Sequence, residues 1–303
     1  MEYVLETDAL TKRYRKFTAL NGLSMHVPKG SIYGFIGRNG AGKTTLIRLI
    51  CGLQEPTDGK IELYGAQNGT KEIYKARRRI GALVETPAIY RDMTAKENLK
   101  QQYRVLGLPS FDKIEELLSL VGLSDSDKKK AGRFSLGMRQ RLAIAIALCG
   151  DPDFLVLDEP MNGLDPQGII EMRELILKLN REKQVTVLVS SHILDELSKV
   201  ATHYGFIDKG SIIKEMSTEE LEMQCRKCVR IEVSNIKTLS YVLDSKGFEY
   251  KIIDNSKADI YADFQVTELV SALEKENCIV YSIKEHDESL ESYFINLVGG
   301  DEK

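Results

Sequence analysis

The feature that most constrains this chain is the stretch from Gly37 to Thr44, which reads Gly-Arg-Asn-Gly-Ala-Gly-Lys-Thr. This spacing fits the phosphate-binding loop pattern G-x-x-x-x-G-K-[ST], and a further threonine, Thr45, follows it. The apolar segment 32–36 before the loop predicts a buried strand, and the segment 46–50 after it predicts a helix. The order of strand, loop and helix is the context in which this motif binds phosphate.

The residue types in the loop explain what it can bind. Glycines let backbone N–H groups point inward around a phosphate, and the following helix adds the positive end of its dipole. Lys43 brings a positive charge to the terminal phosphates, and the Thr44 hydroxyl is placed to ligate Mg2+. The predicted phosphate contacts therefore come from Gly37, Arg38, Asn39, Gly40, Ala41, Gly42, Lys43, Thr44 and Thr45.

A second predicted buried strand, residues 154–159, ends on two adjacent carboxylates, Asp158 and Glu159. Two acids at a buried strand end are costly unless a cation neutralises them, and Mg2+ held on phosphates supplies one. We expect Asp158 to serve the metal and Glu159 to polarise the attacking water. A GTPase would more often carry Asp-x-x-Gly here, so the pair favours an ATPase. His192 follows the predicted buried strand 185–191, at a place where active-site groups of such sheets collect.

A second place for an anion lies at Ser135, which is predicted to cap a strongly apolar helix that runs through Cys149. The capping role alone would explain this serine. Serine and glycine at a helix N-terminus also suit a phosphate, which suggests that two copies clamp a nucleotide between them. Tyr14 lies in a basic turn ahead of the phosphate loop, and it either stacks on adenine or is simply an exposed tyrosine.

Composition narrows the class of protein. The 303 residues suggest about two domains. A formal net charge of -3 gives no basic bias towards nucleic acid. The five cysteines fit a reducing compartment, and the CxxC at 225–228 ends a predicted helix, unlike a redox pair. The N-terminus does not resemble a signal peptide, and no apolar run reaches the length of a membrane span, so a membrane role would need another chain.

Taken in order, the motifs of residues 1 to about 215 resemble the nucleotide-binding subunit of an ATP-binding cassette transporter. In that family the signature motif follows the phosphate loop, a further loop crosses the dimer seam, and a switch histidine contacts the γ-phosphate. The residues that the resemblance assigns are Tyr14, 37–45, Glu85, Ser135, Gly137, Met138 and Asp165 to the nucleotide, Thr44, Glu85 and Asp158 to the metal, and Glu159 and His192 to catalysis.

The chain departs from the family pattern at two places. Glu85 stands where the family usually has a glutamine, and it puts a full negative charge beside the metal. Leu136 and Met138 replace a small and a polar residue of the signature motif. Together with the segment 83–87, these features resemble the branch that serves bacitracin resistance and lantibiotic immunity. Subunits of that branch work with small membrane proteins to expel peptide antibiotics.

The resemblance implies an α/β fold for residues 1–216, a P-loop NTPase cassette with a mixed sheet and a helical insert at about 86–150. It implies ATP and Mg2+ as cofactors and separately encoded membrane permease subunits as partners. It also implies a head-to-tail dimer with a second copy or a paralogous cassette, no nucleic acid, and a peripheral place on the cytoplasmic face of the cell membrane. The alternatives are a soluble cassette ATPase that acts on ribosomes or DNA, and a cassette that signals rather than pumps.

Residues 217–303 form the second predicted domain. A capping box at 217–220 starts a linker helix, and the pattern after it predicts the order βαββαβ, a small α+β ferredoxin-like unit. The predicted elements are strand 229–233, helix 236–246, strands 250–254 and 259–263, helix 266–277, strand 279–285 and a last helix at 289–298. No catalytic set occurs in this domain. We expect a structural or dimer-supporting role, with a small regulatory ligand site as the alternative.

Overall fold

The structure is a computed structural model that describes residues 2–126, 128–224, 228–262, 264–286, 293 and 297. The chain divides into two compact units, Met1–Thr218 and Glu219–Lys303. Among the described residues, no helix combines the length and the apolar character that crossing a membrane requires.

The first unit alternates strands and helices. Its strands are β1 (Tyr3–Tyr14), β2 (Phe17–Pro28), β3 (Ile32–Ile36), β4 (Asp58–Leu63), β5 (Ala66–Gln67), β6 (Ile80–Leu83), β7 (Phe154–Asp158), β8 (Thr186–Ser191), β9 (His203–Asp208) and β10 (Ser211–Ser217). Its helices are α1 (Lys43–Ile50), α2 (Glu72–Arg77), α3 (Ala95–Leu106), α4 (Ile114–Leu120), α5 (Leu136–Ala147), α6 (Pro166–Lys183) and α7 (Leu194–Ser198).

Two sheets carry this unit. The larger has six strands in the order β10-β9-β3-β8-β7-β6, in which β9 to β6 run parallel and β10 is antiparallel to β9. The smaller is antiparallel, in the order β2-β1-β4-β5. Because β6, β7, β8 and β3 are parallel neighbours, their carboxyl ends meet at one edge of the sheet, where active sites of such folds form. The predicted mixed-sheet cassette is confirmed.

Helix α1 packs in the main core of this unit. Its apolar side chains, including Leu46 and Leu49, share one buried cluster with Met25 of β2, Phe35 of β3 and Val156 of β7. Residues of β3 and β7 are buried along their whole length, as parallel strands covered on both faces require. This packing fixes the start of α1, and hence the phosphate loop, against the carboxyl edge of the larger sheet.

Helices α3 to α5 form the predicted insert. Thr94 caps α3 through a capping box, in which its hydroxyl accepts from the Glu97 N–H at 3.2 Å and Glu97 accepts from the Thr94 N–H at 2.7 Å. The helix ends at Gly107, whose φ of 67° is the left-handed conformation that favours glycine. Both ends of α3 were therefore predictable from local sequence.

Several predicted boundaries were wrong by a few residues. The apolar sequence of residues 80–85 is typical of a buried strand that ends on a carboxylate, but the strand ends at Leu83, because Glu85 has a left-handed φ of 58°. The next core strand ends one residue before Glu159, whose φ is 49°. Helix α5 ends at Ala147, and Leu148–Gly150 form a 3₁₀ turn. Elements α2, α7, β5, β9 and β10 were not predicted.

The second unit has the predicted order βαββαβ after a first helix. Its elements are α8 (Thr218–Gln224), β11 (Cys228–Val233), α9 (Ile236–Lys246), β12 (Tyr250–Ile252), β13 (Lys257–Ile260), α10 (Val266–Lys275) and β14 (Val280–His286). The sheet order β12-β13-β11-β14 is antiparallel throughout, and α9 and α10 pack with it around a core of their own. The last predicted helix, at 289–298, falls largely outside the described residues.

The described cysteines of the first unit are free thiols, of which Cys149 is buried and Cys51 is partly buried. Burial raises the pKa of the Cys51 thiol and that of the Cys149 thiol to about 12. Thiols of this kind stay protonated and are poor nucleophiles, which fits a packing role. Cys225 of the CxxC segment lies outside the described residues.

Candidate active site

The phosphate loop connects β3 to α1 at the carboxyl edge of the larger sheet. The Gly37 N–H donates to the Ser191 carbonyl at the end of β8, at 3.3 Å. The Ala41 N–H donates to the Arg38 carbonyl at 3.1 Å, and the Gly210 N–H donates to the Ala41 carbonyl at 3.0 Å. These bonds tie the loop to β8 and to the β9–β10 turn, so its shape is held by the sheet.

Two glycines of the loop have no room for a side chain. A Cβ at Gly37 would lie 2.5 Å from the Ile207 side chain and 2.6 Å from its carbonyl oxygen. Gly42 has a φ of 113°, and a Cβ there would lie 2.7 Å from the Ala19 carbonyl oxygen. The close approach of neighbouring backbone therefore requires glycine at both positions.

Lys43 lies at the first turn of α1, with only 6% of its side chain exposed. Its Nζ donates to the Gly37 carbonyl at 2.6 Å and to the Arg38 carbonyl at 3.3 Å, and it forms an ion pair with Glu159 Oε1 at 3.1 Å. The ammonium group is thus folded back over the loop, at the place where the loop would hold the terminal phosphates.

The carboxylates at the end of β7 are organised by Ser190 of β8. The Ser190 hydroxyl donates to Asp158 Oδ1 at 2.6 Å, and it accepts from the Glu159 N–H at 2.9 Å. Asp158 is 3% exposed. The left-handed backbone of Glu159 turns its side chain away from the strand and towards Lys43. Ser190 was not predicted as a site residue, although the sequence shows a pair of serines at the end of a largely apolar strand.

His192 follows β8 directly, and its Nδ1 lies 2.7 Å from Glu159 Oε2. The two oxygens of Glu159 therefore contact two different groups, Lys43 and His192. A carboxylate oriented in this way between an ammonium and an imidazole can accept a hydrogen bond from water, as a general base must. The predicted catalytic pair is adjacent in space.

The donor set at this edge suits Mg2+ held jointly with a nucleotide. Among the described residues, no group of three or more His, Cys, Asp or Glu side chains could hold a metal alone. Mg2+ commonly uses one or two carboxylates together with phosphate oxygens and waters. The buried Asp158 and the half-buried Thr44, which follows Lys43 on α1, match that requirement.

Glu85 forms an ion pair that was not predicted from the sequence. Its carboxylate forms an ion pair with the guanidinium of Arg48 on α1. The expected full negative charge at this position is therefore balanced within the chain. Residues 48 and 85 are far apart in sequence, and no local pattern connects them.

The remaining predicted residues form a second group. Ser135 caps α5 by accepting from the Met138 N–H at 3.2 Å, and Asp165 caps α6 by accepting from the Gly168 N–H at 3.0 Å. The two caps are neighbours, because a Cβ at Gly137 would lie 3.6 Å from the Leu164 side chain. The signature segment and the segment that precedes α6 therefore share one surface.

Tyr14 ends β1, opposite Phe17 in the hairpin. Its hydroxyl donates to the Gln54 side chain, and Lys12 Nζ lies 5.2 Å from the ring centroid. The side chain is 38% exposed. A fixed and partly exposed ring can stack on a base, which is the role predicted for it.

Comparisons with known proteins identify the same family that the motifs resemble. Residues 20–162 match the family model described as ABC transporter. The bacitracin transport ATP-binding protein of Bacillus licheniformis is 41% identical over 99% of this chain and 99% of its own length. A lantibiotic transport ATP-binding protein of Streptococcus pyogenes is 43% identical over 70% of this chain and 90% of its own.

Solved structures show the same fold. The ADP conformation of an ATP-binding cassette of an ABC transporter has a TM-score of 0.66 and 29% identity, and covers 73% of this chain and 93% of its own. A dimeric bacterial ABC transporter cassette has a TM-score of 0.62 and 23% identity, and covers 71% of this chain and 98% of its own. This likeness supports similarity of the fold alone. Identity that extends along the whole chain is the stronger finding, and it places this chain in the ABC transporter family, as an ATP-binding subunit that hydrolyses ATP.

Proposed function

We propose that this chain is the ATPase subunit of a membrane exporter that expels peptide antibiotics of the bacitracin or lantibiotic type. The observation that supports the proposal is that Glu159 contacts both Lys43 and His192 beside the phosphate loop. The chain that carries this site is similar from end to end to a bacitracin transport ATP-binding protein. ATP hydrolysis by this chain takes place at the cytoplasmic face of the cell membrane, where ATP is available.

The contacts support the following roles within one subunit. Lys43 and the backbone of 37–42 bind the phosphates, and Asp158 and the Thr44 hydroxyl would hold Mg2+ beside them. Mg2+, when bound, neutralises phosphate charge. Glu159 accepts a hydrogen bond from the attacking water, and His192, which contacts Glu159, steadies the γ-phosphate.

The second subunit completes the site. Ser135 and Gly137 lie at the exposed N-terminal end of α5, where the helix dipole favours an anion, and no acid lies in its first turn. In a head-to-tail dimer, this end of one copy meets the nucleotide held by the phosphate loop of the other. The segment capped by Asp165, which adjoins Ser135 and Gly137, lies at the same seam.

This arrangement predicts that Ser135→Glu weakens dimerisation but spares nucleotide binding by the single chain. A carboxylate at this position repels the partner's triphosphate, while it remains compatible with the helix N-terminus. In a Glu159→Gln background, we expect the ATP-dependent dimer to weaken about tenfold or more, since like-charge contacts at an interface cost several kcal/mol. Light scattering after size exclusion, with and without ATP, measures this.

The matched control is Ser110→Glu, since the Ser110 hydroxyl also accepts from a backbone N–H, that of Asp112, close to the start of α4. That variant should dimerise normally. Equal dimerisation of the Ser135 and Ser110 variants would contradict the head-to-tail arrangement.

The permease contacts a groove beside Glu85. This groove has a volume of about 400 Å³ and is lined by Leu53, Val84, Ala88, Ala143 and Ile146, among others. Leu53 is 64% exposed. An apolar groove between the core of the cassette and α5 suits an apolar segment on the cytoplasmic side of a membrane protein. We assign the groove to the permease.

Co-purification tests the whole proposal. The tagged chain is isolated from detergent-solubilised membranes of its host, and ATP hydrolysis is measured with the co-purified material and without it. We expect a hydrophobic partner that changes the ATPase rate, and a further change when bacitracin or a lantibiotic is added. Recovery with ribosomes or DNA instead would overturn the transport function and leave only ATP hydrolysis.

A further inference from the structure

The ion pair between Glu85 and Arg48 joins two parts of the site. Arg48 lies on α1, one helical turn beyond Thr44, the predicted metal ligand, so both residues share one face of the helix. Glu85 lies just past the end of β6. The pair therefore links the helix that begins at the phosphate loop to the edge of the larger sheet.

Strand pairing places Glu85 at the same edge of the sheet as the carboxylates of β7. Leu83, the last residue of β6, pairs with Leu157 in the parallel ladder, one residue before Asp158. Glu85 follows β6 by two residues, and Glu159 follows β7 by one. Because the carboxyl ends of parallel neighbours meet at one edge, Glu85, Asp158 and Glu159 all lie at that edge of the larger sheet.

Each of these acids has a different partner. Glu159 contacts Lys43 and His192, and Glu85 contacts Arg48. Asp158 accepts from Ser190, and among the described residues no cationic side chain forms an ion pair with it. Asp158 is thus the carboxylate left for a metal, while Arg48 engages the neighbouring one.

Glu85 has an unusual backbone conformation, and its two neighbours in sequence line a groove. Its φ of 58° is left-handed, a conformation that costs a residue with a side chain some strain. Val84, which precedes Glu85, and Thr86, which follows it, line the groove assigned to the permease.

We propose that Arg48 is a positioning residue that holds the Glu85 carboxylate away from the metal position, so that Mg2+ must compete with Arg48 for Glu85. The proposal rests on the function proposed above. It explains how the chain carries glutamate where its family usually has glutamine, since Arg48 cancels the added charge. Release of the pair, from the nucleotide side or from the groove side, then delivers a carboxylate to the metal.

The expected effect is modest, because the pair is partly exposed. The side chains of Arg48 and Glu85 are 34% and 53% exposed, and ion pairs of this kind are weak. Removing the arginine should therefore lower the Mg2+ concentration needed for half-maximal binding of a nucleotide by about three- to fivefold.

The test is a binding titration that needs no turnover. Fluorescent ADP is bound to the full-length chain while Mg2+ is titrated, for wild type, Arg48→Met, Glu85→Gln and the double variant. Methionine keeps an unbranched apolar stem like that of arginine, without its charge. The control is Lys29→Met, which breaks the exposed Lys29–Glu2 pair before β3, at the end of that strand away from the phosphate loop.

We expect Arg48→Met to shift the Mg2+ midpoint downward, Lys29→Met to leave it unchanged, and Arg48→Met to have no effect once Glu85 is glutamine. An unchanged midpoint in Arg48→Met overturns the inference, and so does an equal shift in the Glu85→Gln background. If wild type binds no nucleotide in a Mg2+-dependent manner, the proposed function itself is wrong. Circular dichroism at matched temperature confirms that each variant is folded.

Discussion

Replacing Glu159 by glutamine is expected to leave ATP binding intact and to slow ATP hydrolysis by about a hundredfold or more. Glutamine has the same shape as glutamate but cannot accept a proton. One oxygen of the Glu159 carboxylate contacts His192 and the other contacts Lys43. Because glutamine is as large as glutamate, the substitution removes the general base without opening a cavity. Phosphate release measures turnover, and fluorescent ATP measures affinity.

The head-to-tail dimer proposed above predicts that the same variant accumulates as an ATP-bound dimer, because hydrolysis is the step that would separate the two copies. Glu174→Gln on α6 is the matched control, since Glu174 is exposed and distant in sequence from the catalytic strand ends. That variant should turn over ATP like wild type. Near-normal turnover in Glu159→Gln would remove Glu159 from the role of base.

Replacing Lys43 by methionine is expected to weaken ATP binding by roughly 30-fold to several thousandfold. Removing one partner of a buried, hydrogen-bonded charge pair costs about 2–5 kcal/mol, and each 1.4 kcal/mol is about tenfold in affinity. Lys43 is 6% exposed and its ammonium contacts two loop carbonyls, so water cannot take its place. Equilibrium titration with fluorescent ATP measures the loss.

A comparison with Lys60→Met separates this effect from the general loss of a positive charge. Lys60 is an exposed residue of β4 in the smaller sheet, and its replacement should leave the affinity within about twofold of wild type, as exposed charges contribute little. Affinity for ATP that survives in Lys43→Met would mean that Lys43 serves Glu159 rather than the phosphates.

Lys43→Met and Glu159→Gln change the two partners of one ion pair and separate ATP affinity from ATP turnover. Lys43 and Glu159 lie 3.1 Å apart, yet one is expected to govern affinity and the other turnover. Their pairing keeps both charges oriented in a buried place, where each would be costly alone. A site built in this way is ordered before the nucleotide arrives, which reduces the cost of ordering it during binding.

The second unit carries no part of this chemistry among its described residues. Its sheet contains a bidentate ion pair, in which Arg230 Nε and Nη2 contact the two oxygens of Asp259 at 2.6 and 2.7 Å. Asp259 is 5% exposed whereas the Arg230 side chain is 37% exposed, so a buried carboxylate is paired in a two-bond geometry with a guanidinium that reaches the surface. Such a contact is consistent with the structural role predicted for the unit.

The parts of this protein that sequence determined are those in which neighbours along the chain provide the physical cause. The phosphate loop follows from glycines, a lysine and a threonine at fixed spacing, and its flanking strand and helix follow from apolar periodicity. The capping box at Thr94 and the caps at Ser135 and Asp165 depend only on residues within one turn. The strand and helix that flank the loop and the cap at Ser135 occur where the sequence predicted them.

Only the tertiary structure decided which strand ends meet. Asp158 and Ser190 are 32 residues apart, and Glu85 and Arg48 are 37 residues apart, so each contact depends on the order of strands and on how α1 packs. Strand order is set by which apolar faces are buried together, a property of the whole core rather than of any short segment. For that reason the sequence identified a glutamate out of pattern, while the arginine that balances it appeared only in the folded chain.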